Sequence, residues 1–169
     1  MSARVVRRLT EGEVVLAASV FSDLIDYDGV RLAAAAPFGY AVTLGRVILF
    51  PPGSPGDFAQ ADLRAQAWLI HELTHVWQFA TAPRRALKSW AKALLTGGYG
   101  PGRHAYRYTL PLDDFAAYGL EQQASIVEHA FLLRQGERCG AMSNLVTLAD
   151  FEGKTPFLHL SRKAGEVSA

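Results

Sequence analysis

The sequence predicts one α+β domain over residues 1–169, in which a small β-sheet packs on a long central helix and a second long helix further down the chain lies against it. Three observations lead there. Short β-branched and apolar runs cluster between residues 30 and 50, an uninterrupted apolar stripe at helical spacing runs from Ala61 to Phe79, and no linker, internal repeat or low-complexity tract divides the chain. Half of the 169 residues are apolar, enough for one sizeable core.

Thr10-Glu11-Gly12-Glu13 has the form of a capping box and opens a helix predicted over Glu11 to Leu24, with Val14, Val15, Ala18, Phe21 and Leu24 repeating near the helical period. Asp26-Tyr27-Asp28-Gly29 carries turn chemistry. Strands follow at Val30 to Leu32, Tyr40 to Leu44 and Arg46 to Phe50, with Gly45 as a tight-turn residue and the Pro51 to Gly56 segment as the stop. The next helix, Ala61 to Phe79, contains neither Gly nor Pro. Pro83 closes that segment, and Arg84 to Leu95 is helical up to Gly97-Gly98. A loop rich in Gly, Pro and Tyr spans Tyr99 to Pro111, Asp113 or Asp114 caps a long helix to Gln135 ended by Gly136, and a short helix is expected over Ser143 to Phe151.

Composition excludes several functions. The formal net charge is +1, from seventeen basic and sixteen acidic residues, so no large field draws nucleic acid or anionic lipid. The basic groups Arg4, Arg7, Arg8 and Arg84, Arg85, Lys88 lack interleaved aromatic platforms and are expected to be solvated faces, so no nucleic-acid partner is expected. Cys139 stands alone, which rules out an internal disulfide and a four-cysteine zinc site. Glu11 and Glu13 precede the apolar stretch Val14 to Phe21, which lacks a cleavage pattern, and no run has the length of a membrane span. A cytoplasmic location is the default expectation, with export by a signal-independent route as the exception.

The chemistry lies in His71-Glu72-Leu73-Thr74-His75, an H-E-x-x-H pattern inside the most secure helix. Residues four apart stand one turn above each other on one helix face, so two imidazoles share one ion. A zinc site with three protein ligands keeps a fourth position for water, whose pKa falls to near neutrality. Glu72, adjacent to His71, is placed to take a proton from that water as it attacks a carbonyl and to pass it to the leaving amine. Chance occurrence on an amphipathic helix is the weaker reading, because two buried histidines without partners are costly.

A third ligand has to come from elsewhere. The metzincin extension needs Gly at 78 and His at 81, where this chain has Gln78 and Thr81. On the downstream helix Glu121, Ser125 and Glu128 share one face at i, i+4 and i+7. Glu121 is the first choice because a carboxylate completes a His-His-Glu set; Glu128 is the alternative, and His104, His129 and His159 are rivals without a partner at ligand spacing.

Val47-Ile48-Leu49-Phe50-Pro51, H-E-L-T-H-V-W-Q over His71 to Gln78, and Glu121-Gln122-Gln123-Ala124 together resemble bacterial Vgr-related and Rhs-associated zincin-like proteins, over most of the chain. The last of these segments is similar to the E-x-x-A-[DS] helix of gluzincin peptidases. The resemblance implies a minimal gluzincin fold, Zn2+ as cofactor, and Glu121 as ligand. Ser125 stands where many gluzincins carry an Asp that steadies a zinc-bound histidine.

The expected function is zinc-dependent hydrolysis of a peptide or related amide bond, with a peptide or protein as substrate. The alternatives are a catalytically silent binding or accessory module of a secretion or toxin system, and a structural zinc site closed by a fourth protein ligand. His104, Tyr106 and Tyr108 are the candidates for stabilising an oxyanion. Arg46 to Phe50 is either an open edge to which an extended peptide adds, or a buried strand. Trp77 and Trp90 are expected in the core.

Overall fold

A computed structural model describes residues 6–36, 39–96, 106–137, 147–151 and 153–157. Its elements are β1 (Val6–Arg7), α1 (Glu11–Phe21), β2 (Arg31–Ala34), β3 (Val42–Leu44), β4 (Val47–Phe50), α2 (Leu63–Thr81), α3 (Pro83–Thr96) and α4 (Leu120–Arg134). Single 3-10 turns lie at Tyr27–Gly29, Phe58–Gln60, Phe115–Ala117 and Leu148–Asp150. The architecture is mixed α+β, as the sequence predicts.

The strands form one sheet in the order β1-β2-β4-β3, antiparallel at both edges and parallel between β2 and β4. In β4 burial alternates, with Ile48 and Phe50 inward, the period-two pattern of a half-buried strand. Gly45, at φ +60°, leads the two-residue turn joining β3 to β4, a conformation a side chain rarely adopts. Arg46 to Phe50, read as open edge or buried strand, is interior: β4 lies between β2 and β3, and the edge belongs to β3.

The capping box forms as predicted, with Thr10 Oγ1 accepting from the Glu13 backbone N–H and Glu13 Oε2 accepting from that of Thr10. Glu13 does more than cap. Its carboxylate, fully buried, takes two hydrogen bonds from the Arg7 guanidinium at 2.6 and 2.7 Å and a fourth from the Phe58 backbone N–H at 2.8 Å. Arg7 is therefore a strand residue paired with a buried carboxylate, which corrects its assignment to a solvated helix face. α1 ends at Phe21, short of Leu24, because Ser22 turns into the left-handed region at φ 52°.

α2 begins at Leu63, two residues later than predicted, because Asp62 is its N-cap and accepts from the Ala65 N–H. Its apolar face, Leu69, Ile70, Leu73 and Val76, joins Leu32, Ile48 and Phe50 of the sheet and Ile126, Val127, Ala130 and Phe131 of α4 in one core cluster. α3 starts on Pro83 itself, a residue preorganised for a first helical position. The long helix expected from Asp114 is interrupted: Asp114 caps only the Phe115–Ala117 turn, Tyr118 and Gly119 are extended, and α4 starts at Leu120. That break places Glu121 in the first turn of α4, where the helix dipole favours an anion. Of the predicted Ser143 to Phe151 helix only the Leu148–Asp150 turn is observed; 141–146 lie outside the described residues, as does Cys139. No helix among the described residues is long and apolar enough to cross a membrane.

Candidate metal centre

α2 and α4 make the most extensive helix pairing among the described residues, and the side chains of the H-E-x-x-H pattern meet those of α4 in a cleft of about 670 Å3. Tyr40, Trp68, Trp90, Tyr106, Arg107 and His129 form its walls. The whole run 39–43, ending in the first two residues of the edge strand β3, lines the cleft.

His71 Nε2 and His75 Nε2 both face one oxygen, Glu121 Oε2, at 3.4 and 3.3 Å. Each ring is fixed through its other nitrogen. His71 Nδ1–H donates to Glu128 Oε2 at 3.0 Å, and His75 Nδ1–H donates to Gln78 Oε1 at 2.8 Å. With both Nδ1 protons committed, neutral rings present two Nε2 lone pairs to a carboxylate oxygen, so three acceptors meet with no donor between them. Something positive has to occupy that point, either protons or a cation.

Protonation of the rings is one answer. Burial opposes a charged His71, but hydrogen bonds to Glu121 and Glu128 outweigh it and raise its pKa to about 10. His75 is raised too: burial opposes, and the charge of Glu121 prevails. Burial alone would raise Glu121, yet the two charged rings hold it well below the usual carboxylate range. A cation fits the same point. The three ligand atoms lie within 4.8 Å of one another, and ligands about 2.0 to 2.1 Å from a tetrahedral ion are spaced about 3.3 to 3.4 Å apart. Two imidazole nitrogens and one carboxylate oxygen are a donor set suited to a divalent ion.

Glu72 lies beside this cluster, 5% exposed, with Thr43 Oγ1 donating to its Oε2 at 2.6 Å. Behind His75, Gln78 Nε2–H donates to the Leu120 carbonyl and to Gln123 Oε1, each at 3.0 Å, and Gln123 in turn donates to the Phe115 carbonyl at 2.8 Å. Two buried amides thus tie His75 to the start of α4.

The structure brings His71, Glu72, His75 and Glu121 together in one cleft. Glu128 meets His71 on its Nδ1 side, whereas Glu121 faces the Nε2 atoms of both rings. His129 Nδ1 and the Tyr108 hydroxyl share a hydrogen bond of 2.6 Å, and burial lowers the pKa of His129. Of the oxyanion candidates, Tyr106 lines the cleft with its ring 6.1 Å from that of His71, Tyr108 is engaged with His129, and His104, like His159, lies outside the described residues. Trp77, partly buried, packs edge-on against the core residue Phe157, whereas Trp90 lines the cleft and so departs from its expected core position. Sequence reasoning missed Thr43 and Gln123 and read Gln78 only as a departure from the metzincin pattern. Gln78 had a signal, since it lies three residues beyond His75 on the same helix face; Thr43 had none, because only strand register brings it to Glu72.

No family model matches the chain. It is similar to the type VI secretion system spike protein VgrG2b of Pseudomonas aeruginosa, 33% identical over 142 residues, a match that takes in 75% of this chain and 13% of that protein. Among solved structures it is similar to the effector domain of Pseudomonas aeruginosa VgrG2b, with a TM-score of 0.62 and 34% identity over 76% of this chain and 75% of that one.

Proposed function

The chain belongs to the family of the VgrG2b effector domain, and from that footing we propose that it is a zinc-dependent hydrolase of peptide or related amide bonds with a zincin-like, gluzincin-type site. The observation that carries the proposal is the convergence of His71 Nε2, His75 Nε2 and Glu121 Oε2 on one point, with Glu72 alongside. Three candidate ligand atoms beside an open cleft favour a catalytic site over a closed structural one.

A divalent ion bound there supplies Lewis acidity, lowering the pKa of a water toward neutrality and polarising the carbonyl to be attacked. Glu72 takes the proton from the attacking water and delivers it to the departing nitrogen. Thr43 engages Oε2 of that carboxylate and leaves Oε1 for the proton. Tyr106, in the cleft wall, provides a hydroxyl for the developing oxyanion. An extended peptide adds along the open side of β3, its main chain pairing with the strand that also carries Thr43.

VgrG2b is a secretion-system spike protein of which this chain matches a small part. We infer a corresponding role here, an effector module that acts after export by a secretion system, in place of the default cytoplasmic location. The test compares the wild type with Glu72→Gln on a broad peptide library while metal content is measured. Cleavage by the wild type, lost in the variant with zinc retained, supports the proposal. Equal cleavage by both removes Glu72 as the base, and zinc uptake without cleavage in either supports a binding module.

A further inference from the structure

We propose that Glu128 is the positioning residue for His71, holding the ring by its Nδ1–H so that Nε2 is delivered to the ion; this rests on the metal reading above. Where the sequence resemblance would look for an orienting Asp, at position 125, the chain has Ser125, and the structure puts a carboxylate on His71 from one helical turn further along α4. Three facts support the assignment. Glu128 Oε2 is 3.0 Å from His71 Nδ1, good hydrogen-bond geometry. The contact is on the ring edge opposite Glu121, so the carboxylate orients the ring without competing for the ion. And α4, which carries both carboxylates, is packed along α2, so ligand and orienter are set by one rigid helix pair.

The two histidines are backed by different chemistry. His71 has an anion behind it and His75 a neutral amide, Gln78. A carboxylate partner fixes the Nδ1–H tautomer and raises the basicity of Nε2, whereas an amide fixes the tautomer with less electronic effect. His71 is therefore the ligand whose affinity for the ion depends most on what stands behind it.

The experiment measures the zinc dissociation constant of the whole chain by competition with a chromophoric chelator, and the visible spectrum of the cobalt-loaded protein, for wild type, Glu128→Ala, Glu128→Gln and His71→Ala. Glu128→Ala is expected to weaken zinc binding roughly 10- to 100-fold and to alter the cobalt bands. Glu128→Gln, which keeps an acceptor oxygen without the charge, falls between the two. Should the alanine variant fail to fold, the glutamine variant carries the same test. Zinc affinity equal to wild type in the folded variants overturns the role of Glu128 while leaving the metal site intact. A wild type that takes up no zinc, or takes it up as well after His71→Ala, overturns the metal reading itself.

Discussion

Thr43 Oγ1 donates a 2.6 Å hydrogen bond to Glu72 Oε2, so the carboxylate beside the His71, His75 and Glu121 cluster is anchored from the edge strand β3. Both groups are buried, at 6% and 5% exposure, where a hydrogen bond to a charge contributes most. Val42 and Thr43 of β3 also line the cleft, so the same strand that holds Glu72 forms part of the wall.

Thr43→Val removes the donor and keeps the shape. Loss of one hydrogen bond to a charged group, about 1.5 to 3 kcal/mol, corresponds to a roughly ten- to hundredfold fall in kcat. Zinc affinity is expected to stay at the wild-type value, since Thr43 touches none of the three ligands. Steady-state kinetics together with metal titration check this, and an unchanged kcat removes Thr43 from the positioning of Glu72.

Glu13 holds β1, the start of α1 and the turn before α2 through four N–H donors. Burial works against its charge, but the bonds from Arg7, Phe58 and Thr10 outweigh it, and its pKa lies below the ordinary value. A depressed folded-state pKa stabilises the protein above the unfolded value of about 4.5, and the contribution is lost as pH falls through the folded one. Glu13→Gln is expected to cost roughly 2 to 3 kcal/mol near neutral pH. That gap should narrow below about pH 4.5, as urea unfolding at several pH values would reveal.

In the ion-free protein His71 is protonated up to a pKa of about 10, above its unfolded value of 6.5. Its contribution to stability is complete below the unfolded value and is lost as pH rises toward 10. On the zinc reading, the ion has to displace those protons. The increase in Tm on adding saturating zinc is therefore expected to grow between about pH 6 and pH 9, read by thermal melting with and without the ion. An increment that does not change with pH contradicts proton competition at this site.

Much of this was legible in the sequence where the information is local. The capping box at Thr10 to Glu13, the turn at Gly45 and the helical stripe around His71 each follow from short-range periodicity or turn chemistry, and the structure contains all three. The interruption before α4 was not read, because Asp114 is a good cap for either a long helix or one 3-10 turn, and the extended Tyr118-Gly119 pair decides between them. Edge and interior strands likewise depend on sheet order: β4 is the more apolar run and lies inside, while Thr43 reaches Glu72 from the edge. Glu128 shows the same limit within the site. Helical spacing places it on the face of Glu121, and only the position of α2 decides which carboxylate faces the Nε2 of His71 and which its Nδ1.

The most direct measurement is calorimetric titration of chelator-treated protein with zinc, for the wild type and for His75→Ala and Glu121→Ala. One ion per wild-type chain, with affinity reduced by orders of magnitude in both variants, is the expected result. Wild-type binding that survives both substitutions, or no binding by the wild type, contradicts a zinc site built from His71, His75 and Glu121.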